Sequence, residues 1–400
     1  MKGLHLSSLW YLLVFALAVV VTMVVTPFVI KLANRFSIID YPDGRRINEK
    51  PTPRPGGIAL FLGILVPLLV FMVFNVSGDS GVRYSLTSNI NYLGVILSAT
   101  VVFAIGLIDD IRTIRVRYKL IGQIVAAIIA CFSGVLLSQI DNPFSSSFIN
   151  LGLFAYPITI FYLVAFANII NLIDGLDGLA SGISAICAVA LFVLSFSRGS
   201  MDAALVALAI AGVCGGFLIF NFYPAKVFLG DSGALVLGFC LGLVSLFGVV
   251  RATALISLLI PVVIAGVPVI DTFTSIVRRV RSGKPVFSAD KAHVHHRFIN
   301  LGYSQRTTVL IIYGLSIVLA VLAILIAQDQ SPLRIVYVVI LIVLVAVFVW
   351  RLGLLSSILT HHYERRQSHL QNGELRMENG EFKQNEEPQE NGELRIENGE

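Results

Sequence analysis

The sequence predicts an all-α polytopic integral membrane protein of about eleven transmembrane helices, N-terminus outside, C-terminus cytoplasmic. Three observations carry this. Of the 400 residues, 56% are hydrophobic and 13% charged, whereas soluble domains have about a quarter charged. Apolar runs near twenty residues recur along the chain, the length that crosses a bilayer. Lys and Arg collect in alternate loops, which fixes orientation.

The apolar runs fall at about 9–32, 58–75, 91–108, 120–138, 153–171, 180–197, 203–221, 234–250, 254–275, 309–327 and 333–352. The first outlasts the roughly 7–15-residue core of a signal peptide and has no small-residue cleavage pattern, so it reads as a retained helix. Cys131, Cys187, Cys214 and Cys240 lie inside runs with no C-x-x-C pair, so neither a disulfide framework nor a thiolate metal site is expected. One set of loops carries Arg35, Arg45, Arg46, Lys50 and Arg54, then Arg112 to Lys119, then Lys226, then Arg278 to Arg306; the other set carries only Arg83, Arg198, Arg251 and Arg334. The richer set is assigned to the cytoplasm, and much of the net charge of +5 therefore faces anionic headgroups and phosphates. The transmembrane domain is expected over about 1–353. Residues 354–400, with the near-duplicates NGELRMENGE and NGELRIENGE, have the low hydrophobicity and repetition of a disordered tail.

Polar clusters interrupt this apolar chain, all in the basic set of loops. In NIINLIDGLDGLA, Asn168, Asn171 and Asp174 recur every three residues and drift slowly around one helical face, with Asp177 one turn on. A charge within a span costs roughly 2.5–3.5 kcal/mol on insertion scales, so these groups need water, a cation or a polar ligand. All-oxygen donors suit Mg²⁺ or Mn²⁺ rather than zinc. Asp109 and Asp110 are adjacent, and such a pair stays ionised more easily beside a divalent cation or basic side chains; Arg115, Arg117 and Lys119 follow. Asp231, in FLGDSG, could cap the next helix or complete a cation site on the same membrane face. His293, His295 and His296 sit among Lys291 and Arg297, which disfavours a cation and favours phosphate or nucleotide contact. Lys50 and Arg54, in the stiff, proline-rich NEKPTPRPGG, form a phosphate-facing wall.

PTPRPGG, the Asp-Asp turn with KLIGQ after it, NIINLIDGLDGLA, FLGDSG and HVHHRFINLGYSQR, in this order, resemble the polyprenyl-phosphate N-acetylhexosamine-1-phosphate transferase superfamily, in its bacterial branch that starts O-antigen, enterobacterial common antigen and teichoic-acid linkage synthesis. The resemblance implies a multi-pass protein of the bacterial plasma (inner) membrane with its active site on the cytoplasmic face. It implies transfer of GlcNAc-1-phosphate, or a related sugar phosphate, from a UDP-sugar to undecaprenyl phosphate with Mg²⁺ or Mn²⁺ as cofactor. By resemblance Asp231, Asn171 and Asp174 fall to metal and Asp177 to the nucleotide. Asp109 and Asp110 match the catalytic or lipid-phosphate-handling pair, and His293, His295 and His296 match residues that engage the nucleotide sugar, with Lys50 joined to them. Some relatives carry an acid or lysine where this chain has Thr113, so the positive role passes to Arg115, Arg117 or Lys119. Membrane lipid is an implied partner, nucleic acid is not, and a homodimer is kept as an option. Two alternatives stand beside this reading: phospho-MurNAc-pentapeptide transfer in peptidoglycan synthesis, and a secondary transporter, whose site would sit nearer the bilayer midplane.

Overall fold

The computed structural model describes residues 2–41, 51–77, 90–141, 148–248, 266–281, 298, 302–329 and 331–351. Lys50, His293, His295, His296 and the repeats of the tail lie outside the described residues. A compact helical unit spans Met1–Phe348, and a second unit begins at Val349.

The described helices are α1 (Lys2–Arg35), α2 (Gly57–Ser77), α3 (Tyr92–Ile111), α4 (Val116–Phe132), α5 (Ala155–Ile173), α6 (Leu179–Ser197), α7 (Met201–Asn221), α8 (Gly230–Gly248), α9 (Gly266–Arg281), α10 (Gln305–Gln328) and α11 (Leu333–Arg351). Eight described helices are long and apolar enough to cross a membrane, and a shorter apolar helix covers Gly230–Leu246. The chain is thus a multi-pass, mostly helical membrane protein. Strands are confined to two short antiparallel pairs: β1 (Ile39–Asp40) with β2 (Thr52–Pro53), and β3 (Gln139–Asp141) with β4 (Phe148–Asn150).

Helix ends depart from the hydropathy reading for a physical reason. Terminal turns carry charged residues that an apolar window trims away. The expected run at about 120–138 is the helix Val116–Phe132, so Lys119 stands on its first turn rather than in a loop. The expected run at about 254–275 differs more. Residues 254–265 lie outside the described residues, and the rest belong to Gly266–Arg281, a helix whose sequence includes Asp271, Arg278, Arg279 and Arg281.

Helix α8 is the hub. It packs on α2, α3, α5, α6 and α7, and Ala234, Leu235, Val236, Leu237 and Phe239 are fully buried along it. Lipid tails are as apolar as leucine, so helices in a membrane associate by close packing and need small residues where backbones cross. Gly106 of α3 supplies such a crossing: a Cβ there would lie 2.7 Å from the Asp231 carbonyl oxygen and the Ser232 nitrogen. This contact draws the end of α3 onto the start of α8. The second layer places α7 between α1 and α6, with α10 against α6.

Candidate active site

Four helix ends meet around one ammonium group. Lys119, on the first turn of α4, donates to Asp109 Oδ2 at the end of α3 (3.1 Å), to Asn171 Oδ1 near the end of α5 (3.2 Å) and to Asp231 Oδ2 at the start of α8 (2.8 Å). Asn171 Nδ2 donates in turn to Asp231 Oδ1 at 2.6 Å. Asp109 Oδ1 accepts from the backbone N–H of Ile114 at 2.8 Å, which ties the turn between α3 and α4 to the same carboxylate. The Lys119 side chain is 14% exposed, and those of Asp109 and Asp231 are 9% and 19% exposed. At that burial the charges are little screened, and each needs its partners.

Asp110 has different work. Its carboxylate accepts from the backbone N–H groups of Asp231 (2.8 Å) and Ser232 (3.0 Å) and from the Ser232 hydroxyl (2.5 Å). The first N–H groups of a helix lack intrahelical partners and carry partial positive charge, so Asp110 caps α8 from a neighbouring helix. Arg54 Nε lies 3.6 Å from Asp110 Oδ1. Its segment is stitched in place by Phe228 N–H donating to the Pro53 carbonyl (2.8 Å) and Gly56 N–H donating to that of Phe228 (3.1 Å).

One helical turn deeper, Asn168 Nδ2 donates to Gln123 Oε1 (2.5 Å) and to the Val164 carbonyl (2.8 Å). Gln123 Nε2 lies 3.5 Å from Asn168 Oδ1. Gln123 follows Lys119 by four residues and Asn168 precedes Asn171 by three, so this amide pair fixes the rotation of α4 against α5 that presents Lys119 to Asn171. Asn168 therefore supports the site rather than lining it.

The turn from Asp174 to Gly178 closes the other side. Asp174 follows α5, and its carboxyl is held well above the ordinary carboxylate range by burial, then by the nearby charges of Asp231, Asp110 and Asp177. Asp177 accepts from Ala225 N–H at 2.9 Å. Burial raises its carboxyl, against the lowering hydrogen bonds from Ala225 and Gln305. Gly178 has φ +78°, a conformation few L-residues adopt, and it lets the chain enter α6 directly. The Tyr313 hydroxyl of α10 donates to the Gly178 carbonyl, its ring occupying the space that a Cβ on Gly182 would fill. Ser181 donates to Asn221 (2.6 Å), whose amide donates to the Val227 carbonyl (3.0 Å), joining the α5–α6 and α7–α8 turns.

The structure thus brings together Asp109, Asp110, Asn171, Asp174, Asp231 and Lys119, with Asp177 at the edge. Arg115 and Arg117 point outward: Arg115 is exposed at the N-cap of α4, and the Arg117 guanidinium stacks on Tyr118, 4.9 Å from its ring centroid. Among the described residues no three His, Cys, Asp or Glu side chains converge as a metal site. A cation is nevertheless already held by three side-chain oxygens, two carboxylate and one amide, and this donor set fits Mg²⁺ or Mn²⁺. Gln123, Ser232, Ser181, Asn221 and Tyr313 also serve the site. Of these, Gln123 left a usable trace in the sequence, as an amide inside an apolar run four residues after a lysine.

A family model for glycosyl transferase family 4 matches residues 92–249, the stretch that holds α3 to α8. A protein of Bacillus subtilis (strain 168) described as a probable undecaprenyl-phosphate N-acetylglucosaminyl 1-phosphate transferase is 32% identical over 343 residues, 86% of this chain and 92% of that protein. The chain belongs to glycosyl transferase family 4. Other family 4 relatives include a decaprenyl-phosphate N-acetylglucosaminephosphotransferase of Mycobacterium tuberculosis (strain ATCC 25618 / H37Rv), 35% identical over 74% of this chain and 77% of its own length. A phospho-N-acetylmuramoyl-pentapeptide-transferase of Listeria monocytogenes is 31% identical over 78% and 98%. The family expected from the five ordered motifs is the family found.

Proposed function

We propose that this chain transfers N-acetylglucosamine 1-phosphate from UDP-GlcNAc to undecaprenyl phosphate, releasing UMP, as the first step of a lipid-linked envelope polysaccharide in the bacterial plasma membrane. The observation that carries this reading is the oxygen cluster of Asp109, Asn171 and Asp231 around a cation, assembled from four helix ends. The names of the Bacillus and mycobacterial relatives supply the sugar and the polyprenyl acceptor. Loop charge supports a cytoplasmic site with the N-terminus outside, and the apolar runs support about eleven spans.

In this reading an acceptor phosphate oxygen attacks the β-phosphorus of the UDP-sugar. A P–O bond forms to the lipid phosphate as the bond to the bridging oxygen breaks, and UMP leaves with that bonding pair. A lipid phosphate with a second pKa of about 6 is largely dianionic near neutrality, so little general-base assistance is required. The chief obstacle is repulsion between anions. Asp231, Asn171 and Asp174 would hold Mg²⁺ or Mn²⁺, which supplies charge compensation for the pyrophosphate when bound. Asp109 is the better candidate of its pair to position the acceptor or take a residual proton, because Asp110 is engaged with the start of α8. Asp177, Lys50 and the cluster of His293, His295 and His296 are assigned to the nucleotide sugar.

A second reading keeps the reaction and changes the donor to UDP-MurNAc-pentapeptide, as the name of the Listeria relative suggests. A donor panel in detergent separates them. UMP release is expected from UDP-GlcNAc, dependent on both polyprenyl phosphate and Mg²⁺; release from UDP-MurNAc-pentapeptide alone would transfer the chain to the second reading. Asp231→Asn should abolish turnover in folded protein, and near-normal activity at saturating Mg²⁺ would remove Asp231 from the site.

A further inference from the structure

Lys119 stands where two roles exclude one another. Its ammonium has three N–H donors, and all three are spent on Asp109, Asn171 and Asp231. Two of these oxygens, from Asn171 and Asp231, are also assigned to the divalent ion, with Asp174. An ammonium and a divalent cation cannot share them, because each needs the same lone pairs and the two repel. Without any cation the arrangement would leave Asp109 and Asp231 buried and unpaired, the costly state for ionised side chains. Lys119 therefore acts as the internal counter-ion that allows the acidic site to form at all.

We infer that Lys119 is an exchangeable cation: its ammonium holds the metal position until a divalent ion arrives, and then turns to bind the acceptor's phosphate. Both halves rest on the function proposed above, the first on its metal assignment and the second on its acceptor; the ammonium's three bonds are the geometry beneath them. Lysine suits this exchange, with a compact charge on a flexible four-carbon stem. Here the stem springs from the first turn of α4 beside exposed Arg115 and Arg117, at the rim of the site. The displaced ammonium gains a new anion only if one is present, so metal and acceptor phosphate should each strengthen binding of the other through this one side chain. Such coupling is reciprocal by thermodynamic necessity. It also gives the site an order, in which metal frees the group that captures the acceptor.

The test uses full-length wild type, Lys119→Met and Asp231→Asn in detergent, with Mn²⁺ binding read from the paramagnetic signal of the free ion and no nucleotide sugar present. Lys119→Met should bind Mn²⁺ about tenfold more tightly than wild type, within the usual range of a coupling between sites, while losing transfer. In wild type, Mn²⁺ should tighten binding of a short-chain polyprenyl phosphate; in Lys119→Met it should not. Equal or weaker Mn²⁺ binding by Lys119→Met overturns the exchange. If Lys119→Met does not fold without metal, Lys119→Gln serves in its place, since it can still donate to two of the oxygens while carrying no charge. Mn²⁺ binding that survives Asp231→Asn, or is missing from wild type that still turns over, instead defeats the metal assignment in the proposed function and removes the exchange with it. Tighter Mn²⁺ binding by Lys119→Met with no coupling to polyprenyl phosphate in wild type would leave the counter-ion in place and overturn the acceptor half.

Discussion

At the scale of single residues, the two members of an adjacent pair have separate duties. Asp109 faces the cation, whereas Asp110 faces the first N–H groups of α8, and adjacency alone could not distinguish them. Asp174 carries a pH prediction. Its carboxyl is raised in the folded chain above the ordinary value of 3.8, so folded protein binds more protons than unfolded protein through the window above 3.8. The contribution of Asp174 to the stability of the metal-free chain is therefore fully present below that window and is lost as pH rises through it; Asp177, also raised, adds in the same sense. Thermal unfolding in EDTA across a pH series should show this fall, and Asp174→Asn should flatten part of it. A divalent ion that binds the ionised carboxylate competes with the proton, so stabilisation by Mn²⁺ should grow with pH across the same interval. Stabilisation independent of pH would take Asp174 away from the metal.

At the scale of elements, α10 acts on the site without entering the cation cluster. Tyr313 reaches the Gly178 carbonyl, Gln305 bonds the Asp177 carboxylate, and the Arg306 guanidinium lies 5.8 Å from the Phe222 ring centroid. All three brace the turns assigned to the nucleotide. Tyr313→Phe keeps the ring beside Gly182 and removes one hydrogen bond, a loss of about 1 kcal/mol or roughly fivefold. The expected result is a roughly fivefold rise in KM for the UDP-sugar with kcat and the KM for polyprenyl phosphate little changed. A fall in unfolding temperature with both KM values unmoved would make Tyr313 structural only. Such contacts are invisible in a sequence because neither partner is unusual by itself: a tyrosine and a glycine carbonyl are at home in any helix. Asp109, Asn171 and Asp231 were legible for the opposite reason, since ionised or amide groups interrupting an apolar run need an explanation wherever their partners are. Lys119 was legible as a charge but not as a neighbour, because hydropathy placed it before the helix that presents it.

At the scale of the molecule, the bilayer made the bundle readable and the ends of helices hard to read. Apolar length is enforced by lipid along every span, whereas the termini answer to caps, turns and the site. Orientation is open to a direct check, because Cys131, Cys187, Cys214 and Cys240 are all buried and leave little background for thiol labelling. A cysteine at exposed Ser331, between α10 and α11, should react with a membrane-impermeant maleimide on intact cells; one at exposed Thr113, between α3 and α4, should react only after permeabilisation. The reverse pattern would invert the topology. The cap that Asp110 places on α8 has a mechanical corollary. Two backbone bonds and one hydroxyl bond, together with the crossing at Gly106, weld the end of α3 to the start of α8, whereas α4 and α5 are held to each other near the site by the Gln123–Asn168 amides. Asp231, at the start of α8, is thereby held in place before any substrate arrives, a fixed point against which two anions can be positioned.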